Sequence, residues 1–61
     1  MSNVGWFIQK YAEELERFGV PKDQIPIFMA KLHEYDHRTT HVHNLAKSHA
    51  EEYHSRQGNS Q

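Results

Sequence analysis

Sixty-one residues make one small domain, and a chain of this length buries only about 60% of the surface its unfolded form exposes, so its core needs a supplement. With no cysteine, disulfides and thiolate zinc sites are excluded, which leaves oligomerisation, regular helix packing, or histidine and carboxylate metal ligation. Seven basic and eight acidic side chains give a net charge of −1 with the signs interspersed, and the missing basic patch argues against a nucleic-acid partner.

The first element is a helix over about residues 4–18, "VGWFIQKYAEELERF". Val4, Ile8, Tyr11, Leu15 and Phe18 recur at 4-3-4-3 spacing, which is one face of an amphipathic helix. Ser2 or Asn3 supplies the start cap, while Gly19 supplies a left-handed residue at the end, followed by Val20 and the helix-stopping Pro21. Glu13, Glu14, Glu16 and Arg17 read as solvated. Trp6 stands off the stripe, and with Phe7 it forms the candidate surface for a larger protein partner.

A connector over 19–25 follows, where Asp23 can cap and Pro26 fits only a first helical turn. Beyond it, Phe28, Leu32, Tyr35, Thr39, Val42, Ala46, His49 and Tyr53 fall at 4-3-4-3-4-3-4 spacing, with no glycine or proline from Ile27 to Arg56. The pattern predicts one long helix over about 26–56. A break at Thr39–Thr40 is the alternative, because adjacent threonines lower helix propensity and hydrogen-bond locally. Residues 1–56 thus read as a single small helical domain, and 57–61 as a flexible polar tail.

The expected fold is all-α, a helical hairpin of a short first helix and a long second one. At 1.5 Å per residue the two would span about 23 and about 45 Å. The first helix would cover the second only to about Val42, leaving Val42, Ala46, His49, Ala50 and Tyr53 as a self-association interface. A homodimer follows, either a four-helix bundle or a coiled-coil-like pair.

All six histidines lie within residues 33–54. Their protonation would carry the net charge from −1 to +5, so the charge argument holds only above their ordinary pKa of about 6.5. Residues 33–43, "HEYDHRTTHVH", contain H-E-x-x-H and a further histidine at the outer spacing of the longer zinc-protease signature. This string resembles the metzincin family of zinc proteases. The resemblance implies His33, His37 and His43 as zinc ligands and Glu34 as general base. It covers eleven of sixty-one residues, and Thr40 stands where that family has its turn glycine. On a continuous helix His43 would lie about 15 Å along the axis from His33, too far to share a metal with bonds of about 2.0–2.1 Å. The chain also lacks a strand-like segment to hold a peptide substrate. A milder metal reading keeps His33, His37 and His41 at i, i+4 and i+8, where neighbouring imidazoles would hold zinc with Glu34, Asp36 or a second chain. His49 reads as a satisfied core histidine, or as a pH switch whose protonation loosens the seam.

No cofactor is required by any motif. Ser48 beside His49 is not a catalytic pair, since adjacent helical positions point about 100° apart. The segment "VGWFIQKY" carries one lysine where membrane-surface helices are usually basic. No stretch reaches the roughly 18 apolar residues of a membrane span, and "MSNVGWFIQK" lacks the marks of a secretory signal. The expectation is a cytoplasmic, non-enzymatic interaction module, a regulator or inhibitor docking on a larger protein. The alternative is a histidine-based zinc-binding or pH-sensing helical protein; an enzyme using His33, Glu34 and His37 is the third class.

Overall fold

Helix α1 runs Val4–Arg17, and its end follows from hydrogen bonding rather than from loss of helix propensity. The computed structural model describes residues 4–58, so the expected caps Ser2 and Asn3 lie outside the described residues. At the C-terminus the Gly19 N–H donates to Glu16 O at 3.0 Å and the Val20 N–H to Leu15 O at 2.9 Å. This is a Schellman closure, with Gly19 at φ +91° in the region that glycine alone enters cheaply. Val20 and Leu15, 3% and 0% exposed, supply the apolar contact that usually accompanies it.

The buried face of α1 is Phe7, Tyr11, Glu14 and Leu15, a correction to the expected stripe. Val4 and Ile8 are 42% and 37% exposed. Both rows share Tyr11, Leu15 and Phe18, so periodicity alone fits either. The larger ring of Phe7 occupies the core, and Ile8 turns to the edge.

The chain then turns through Pro21–Gln24, closed by the Gln24 N–H on Pro21 O at 2.9 Å. Helix α2 spans Ile25–Met29 with Pro26 in its first turn, as the sequence requires. Its N-cap is Gln24, without a side-chain cap bond, so Asp23 does not fill that role.

The long second helix is not formed. After α2 come a 3-10 turn over Leu32–Glu34, an irregular segment, and helix α3 over Val42–Gly58. The cause is local competition for backbone groups. His33 Nδ1 donates to Ala30 O at 2.9 Å, occupying the carbonyl that would accept Glu34 N–H in a continuous α-helix. Tyr35 is extended, with φ −115° and ψ 140°. The Asp36 carboxylate accepts the Arg38 N–H at 2.9 Å, and Asp36 O accepts both the Thr39 and Thr40 N–H groups. The Asp36 carboxylate on the Arg38 N–H and the Thr39 hydroxyl on Asp36 O at 3.5 Å are the side-chain–backbone bonds by which Asp and Thr compete with helix. Hydrogen bonds from Arg38 hold the Asp36 carboxyl below its ordinary range. The interruption therefore spans residues 30–41, with the 3-10 turn inside it, wider than the Thr39–Thr40 alternative, and Thr39 is exposed rather than in a seam.

The break lets α3 return onto α1, the most extensive helix pairing in the chain. Val42, Ala46 and Ala50 are 7%, 0% and 1% exposed, so these three of the five residues assigned to self-association are covered within one chain. The length mismatch that argued for a homodimer disappears with the long helix. Two alanines four residues apart leave no bulk to hold α1 away, and Tyr11 and Leu15 fill the space, both 0% exposed. Phe7, Val20, Ile25 and Leu32 complete the core. Burying each large side chain contributes roughly 1.5–3 kcal/mol. Gln57 and Gly58, expected in the tail, are the last residues of α3; 59–61 lie outside the described residues. Among the described residues the fold is three α-helices and one 3-10 turn, with no strand. Among the same residues no helix is long and apolar enough to cross a membrane.

Candidate functional site

Two side-chain–side-chain contacts, Glu14–His43 and Tyr11–His49, join α1 to α3, and each includes a histidine. Glu14 sits on the buried face of α1 at 2% exposure. His43 Nδ1 donates to Glu14 Oε1 at 2.6 Å, while Lys10 Nζ and Arg17 Nε lie 3.7 and 3.6 Å from Oε2. The hydrogen bond from His43 holds the Glu14 carboxyl below its ordinary range against the opposing effect of burial, with Arg17 and Lys10 adding to the lowering. A buried carboxylate persists only with partners of this kind. The helix spacing supplies them, since Lys10 and Arg17 flank Glu14 at i−4 and i+3.

The second contact is His49, half-buried on α3. Its Nδ1 lies 2.6 Å from the Tyr11 hydroxyl and its Nε2 lies 3.3 Å from the Tyr35 hydroxyl. One tautomer satisfies every group. With the proton on Nε2, the buried Tyr11 O–H donates to Nδ1 and Nε2–H donates to Tyr35; the other tautomer strands the Tyr11 proton in the core. The imidazole is packed by three rings: Tyr11 edge-on at 5.8 Å, Tyr35 edge-on at 5.7 Å, and Phe28 stacked at 6.2 Å. Burial lowers the His49 pKa; Glu52 opposes this and Lys31 adds to it. Burial likewise pushes the Tyr11 hydroxyl up, with Tyr35 adding.

Two grooves flank Tyr35. One, of about 420 Å³, is lined by Val4, Phe7, Ile8, Met29 and Leu32, with His33, Tyr35 and His37 closing it. The other, of about 390 Å³, lies along α3 and contains Phe28, Tyr35, His49 and Tyr53 with a charged border that includes Lys31, Glu34, Glu52 and Arg56. Tyr35 is the aromatic wall common to both.

The expected metal ligands are not gathered. His33 lies exposed in the 3-10 turn and bonded to Ala30 O; His37 packs on Phe7 with ring centroids 6.4 Å apart; His41 lies exposed beside His43 at 6.4 Å. The i, i+4, i+8 stripe needed a continuous helix, which the Asp36 turn removes. Among the described residues no group of three or more His, Cys, Asp or Glu side chains is placed to hold a metal ion. Phe7, assigned to a partner surface with Trp6, is 2% exposed and belongs to the core, whereas Trp6 is 61% exposed. Of the expected self-association residues, His49 and Tyr53 are half-buried and line the mixed groove.

Sequence reasoning missed Glu14 and its pairing with His43. The signal was present: Phe7, Tyr11, Glu14 and Phe18 run at 4-3-4 spacing, so one carboxylate stands on an otherwise aromatic row with basic residues on both sides. Tyr35 was read as a seam residue, and nothing in the spacing marks it as a wall between grooves.

The fold and contacts define a small all-α protein with histidine-tied helices. No protein-family model matches the chain, and neither curated proteins nor solved structures give a significant match.

Proposed function

We propose that this chain is a small non-enzymatic interaction module that docks on a larger protein through the apolar groove between α1 and the segment containing α2 and the 3-10 turn. The observation that carries the reading is the groove lined by Val4, Phe7, Ile8, Met29 and Leu32, whose α1 border leaves Val4 and Ile8 partly open at 42% and 37% exposure. Val4 and Ile8 stand four residues apart, so they form an i, i+4 ridge of the sort that beds into the surface of another helix. The occupant it suits is an amphipathic helix of the partner, laying apolar side chains four apart into the groove. Trp6 has the aromatic bulk typical of an interface anchor.

The test uses the whole chain with a photo-crosslinking residue at position 8, followed by affinity measurement on the purified crosslinked protein. Ile8→Glu is expected to weaken that binding at least tenfold and leave the thermal midpoint within a few degrees, because Ile8 is at the edge of the core. Glu51→Lys, on the exposed side of α3, serves as the control and leaves affinity unchanged. Binding that is insensitive to Ile8→Glu, or equally sensitive to both substitutions, overturns the assignment of the surface.

A further inference from the structure

Tyr35 joins the docking groove to His49, and this connection gives the groove a means of control. The inference rests on the docking reading above. We propose that His49 is a proton-operated latch: when neutral it holds Tyr35 as a wall of the apolar groove, and when protonated it releases Tyr35 and docking weakens.

Tyr35 is the residue at which the 3-10 turn gives way to extended chain. Its backbone is tied by its N–H on Leu32 O at 3.0 Å, but its side chain is 36% exposed, and the hydroxyl's hydrogen bond is to His49 Nε2 at 3.3 Å. The ring position thus depends on where the His49 imidazole sits, and a proton added at Nδ1, the nitrogen that accepts from Tyr11, bears on that. Protonated His49 carries N–H on both nitrogens. Its Nδ1–H then meets the Tyr11 hydroxyl at the 2.6 Å contact, which can accept only by turning its own O–H proton into the core, where Tyr11 is 0% exposed. The cheapest relief is for the imidazolium to leave the aromatic cage toward the mixed groove, which is open to solvent.

The charged and titratable groups around it define that exit. Tyr11 faces His49 from α1. Lys31, Glu34 and Tyr35 face it from the segment before α3, and Glu52, Tyr53 and Arg56 line the same groove from α3. Glu52 attracts the imidazolium and Lys31 repels it, while Arg56 is held by Glu52 at 3.0 Å. Once the ring has moved, the Tyr35 hydroxyl has lost its donor and the wall between the two grooves is free to swing. The core does not open with it, because the His43 Nδ1–Glu14 Oε1 bond at the same interface, 2.6 Å long, involves neither His49 nor Tyr35. The device separates a mobile wall from a fixed scaffold.

The test is a pH titration of the whole chain by NMR from pH 7.5 to 5.0, following the His49 ring, the Tyr35 ring and the Ile8 and Leu32 methyl groups without any partner. The Tyr35 and methyl transitions are expected to share the His49 midpoint, to disappear in His49→Gln, and to persist in His33→Gln/His37→Gln, which removes the other histidines lining the groove. Affinity for the crosslinked partner should then fall on acidification by up to about tenfold per pH unit for one linked proton, and Tyr35→Phe, which keeps the ring but cuts the latch, should flatten that dependence. A Tyr35 transition with a different midpoint, or one that survives His49→Gln, overturns the latch. A latch that titrates as described while binding ignores Ile8→Glu refutes the docking surface and leaves the latch standing.

Discussion

Gly19→Ala measures how tightly the end of α1 is fixed, and the structure separates its cost into two parts. The first is conformational: Gly19 has φ +91°, and a residue with a Cβ in left-handed backbone costs roughly 1–2 kcal/mol, offset by about 0.4–1 kcal/mol from the stiffer unfolded chain. The second is a contact. A Cβ at position 19 would lie 3.3 Å from His54 Nε2 and 3.4 Å from Cε1, and that same Nε2 donates to Phe18 O at 2.7 Å. Making room shifts the imidazole by a few tenths of an ångström against its acceptor, which adds up to roughly 0.5–1.5 kcal/mol, the usual net value of one hydrogen bond. The sum is a destabilisation of about 0.5–3 kcal/mol, or a midpoint lowered by about 4–8 °C for each kcal/mol in a domain of this size. Urea melts of Gly19→Ala, His54→Ala and the double variant form the assay. In the His54→Ala background the cost of Gly19→Ala should shrink by the contact part, about 0.5–1.5 kcal/mol. An equal cost in both backgrounds would refute the contact, and a stabilised Gly19→Ala would refute the left-handed closure itself.

Leu15→Ala removes a side chain that is 0% exposed and should cost about 2–5 kcal/mol. That is a large share of the roughly 3–9 kcal/mol available to a domain this small, so circular dichroism should show the variant largely unfolded by body temperature. Ala46→Leu, at the 0% exposed position facing α1, should destabilise by about 1–3 kcal/mol through overpacking, read as a lowered urea midpoint; a raised midpoint would mean that the α1–α3 contact has room to spare. Glu14→Gln should lower the thermal midpoint at pH 7. Because the Glu14 carboxyl is held below its ordinary range, its contribution is present above about pH 4.5 and is lost as pH falls through the lowered value; the two midpoints should converge toward pH 3, and a constant gap would assign the loss to packing. His49 works in the opposite sense to a stabilised charge. Its pKa is lowered by burial, so the unfolded chain takes the proton first and stability declines as pH drops below about 6.5, a slope that His49→Gln should flatten in melts at pH 7.5, 6.5 and 5.5.

What was legible in the sequence was local. The helical content, the glycine stop and the place of Pro26 follow from periodicity and from backbone restrictions that act within a few residues. Histidine spacing was legible too, but it misled. H-E-x-x-H and the i, i+4, i+8 stripe acquire metal-binding geometry only on an unbroken helix, and the eight-position row from Phe28 to Tyr53 is satisfied equally by one long helix and by two short ones whose apolar residues happen to remain in phase. The choice between them lay with polar side chains: His33 on Ala30 O and Asp36 on the Arg38 N–H remove helix bonds at the points where they act.

The sequence by itself therefore determined that this protein is helical and where its first helix ends. Tertiary structure alone decided which rows are buried. Folding back at Asp36 brings Val42, Ala46 and Ala50 under α1 and Glu14 against His43, because a small chain lowers its free energy most by covering apolar surface with itself and then pairing the polar groups that covering traps. The same closure places Tyr35 beside His49, fourteen residues away in sequence. No spacing rule specifies that pair, since it depends on a turn, a helix orientation and a neighbouring helix all at once.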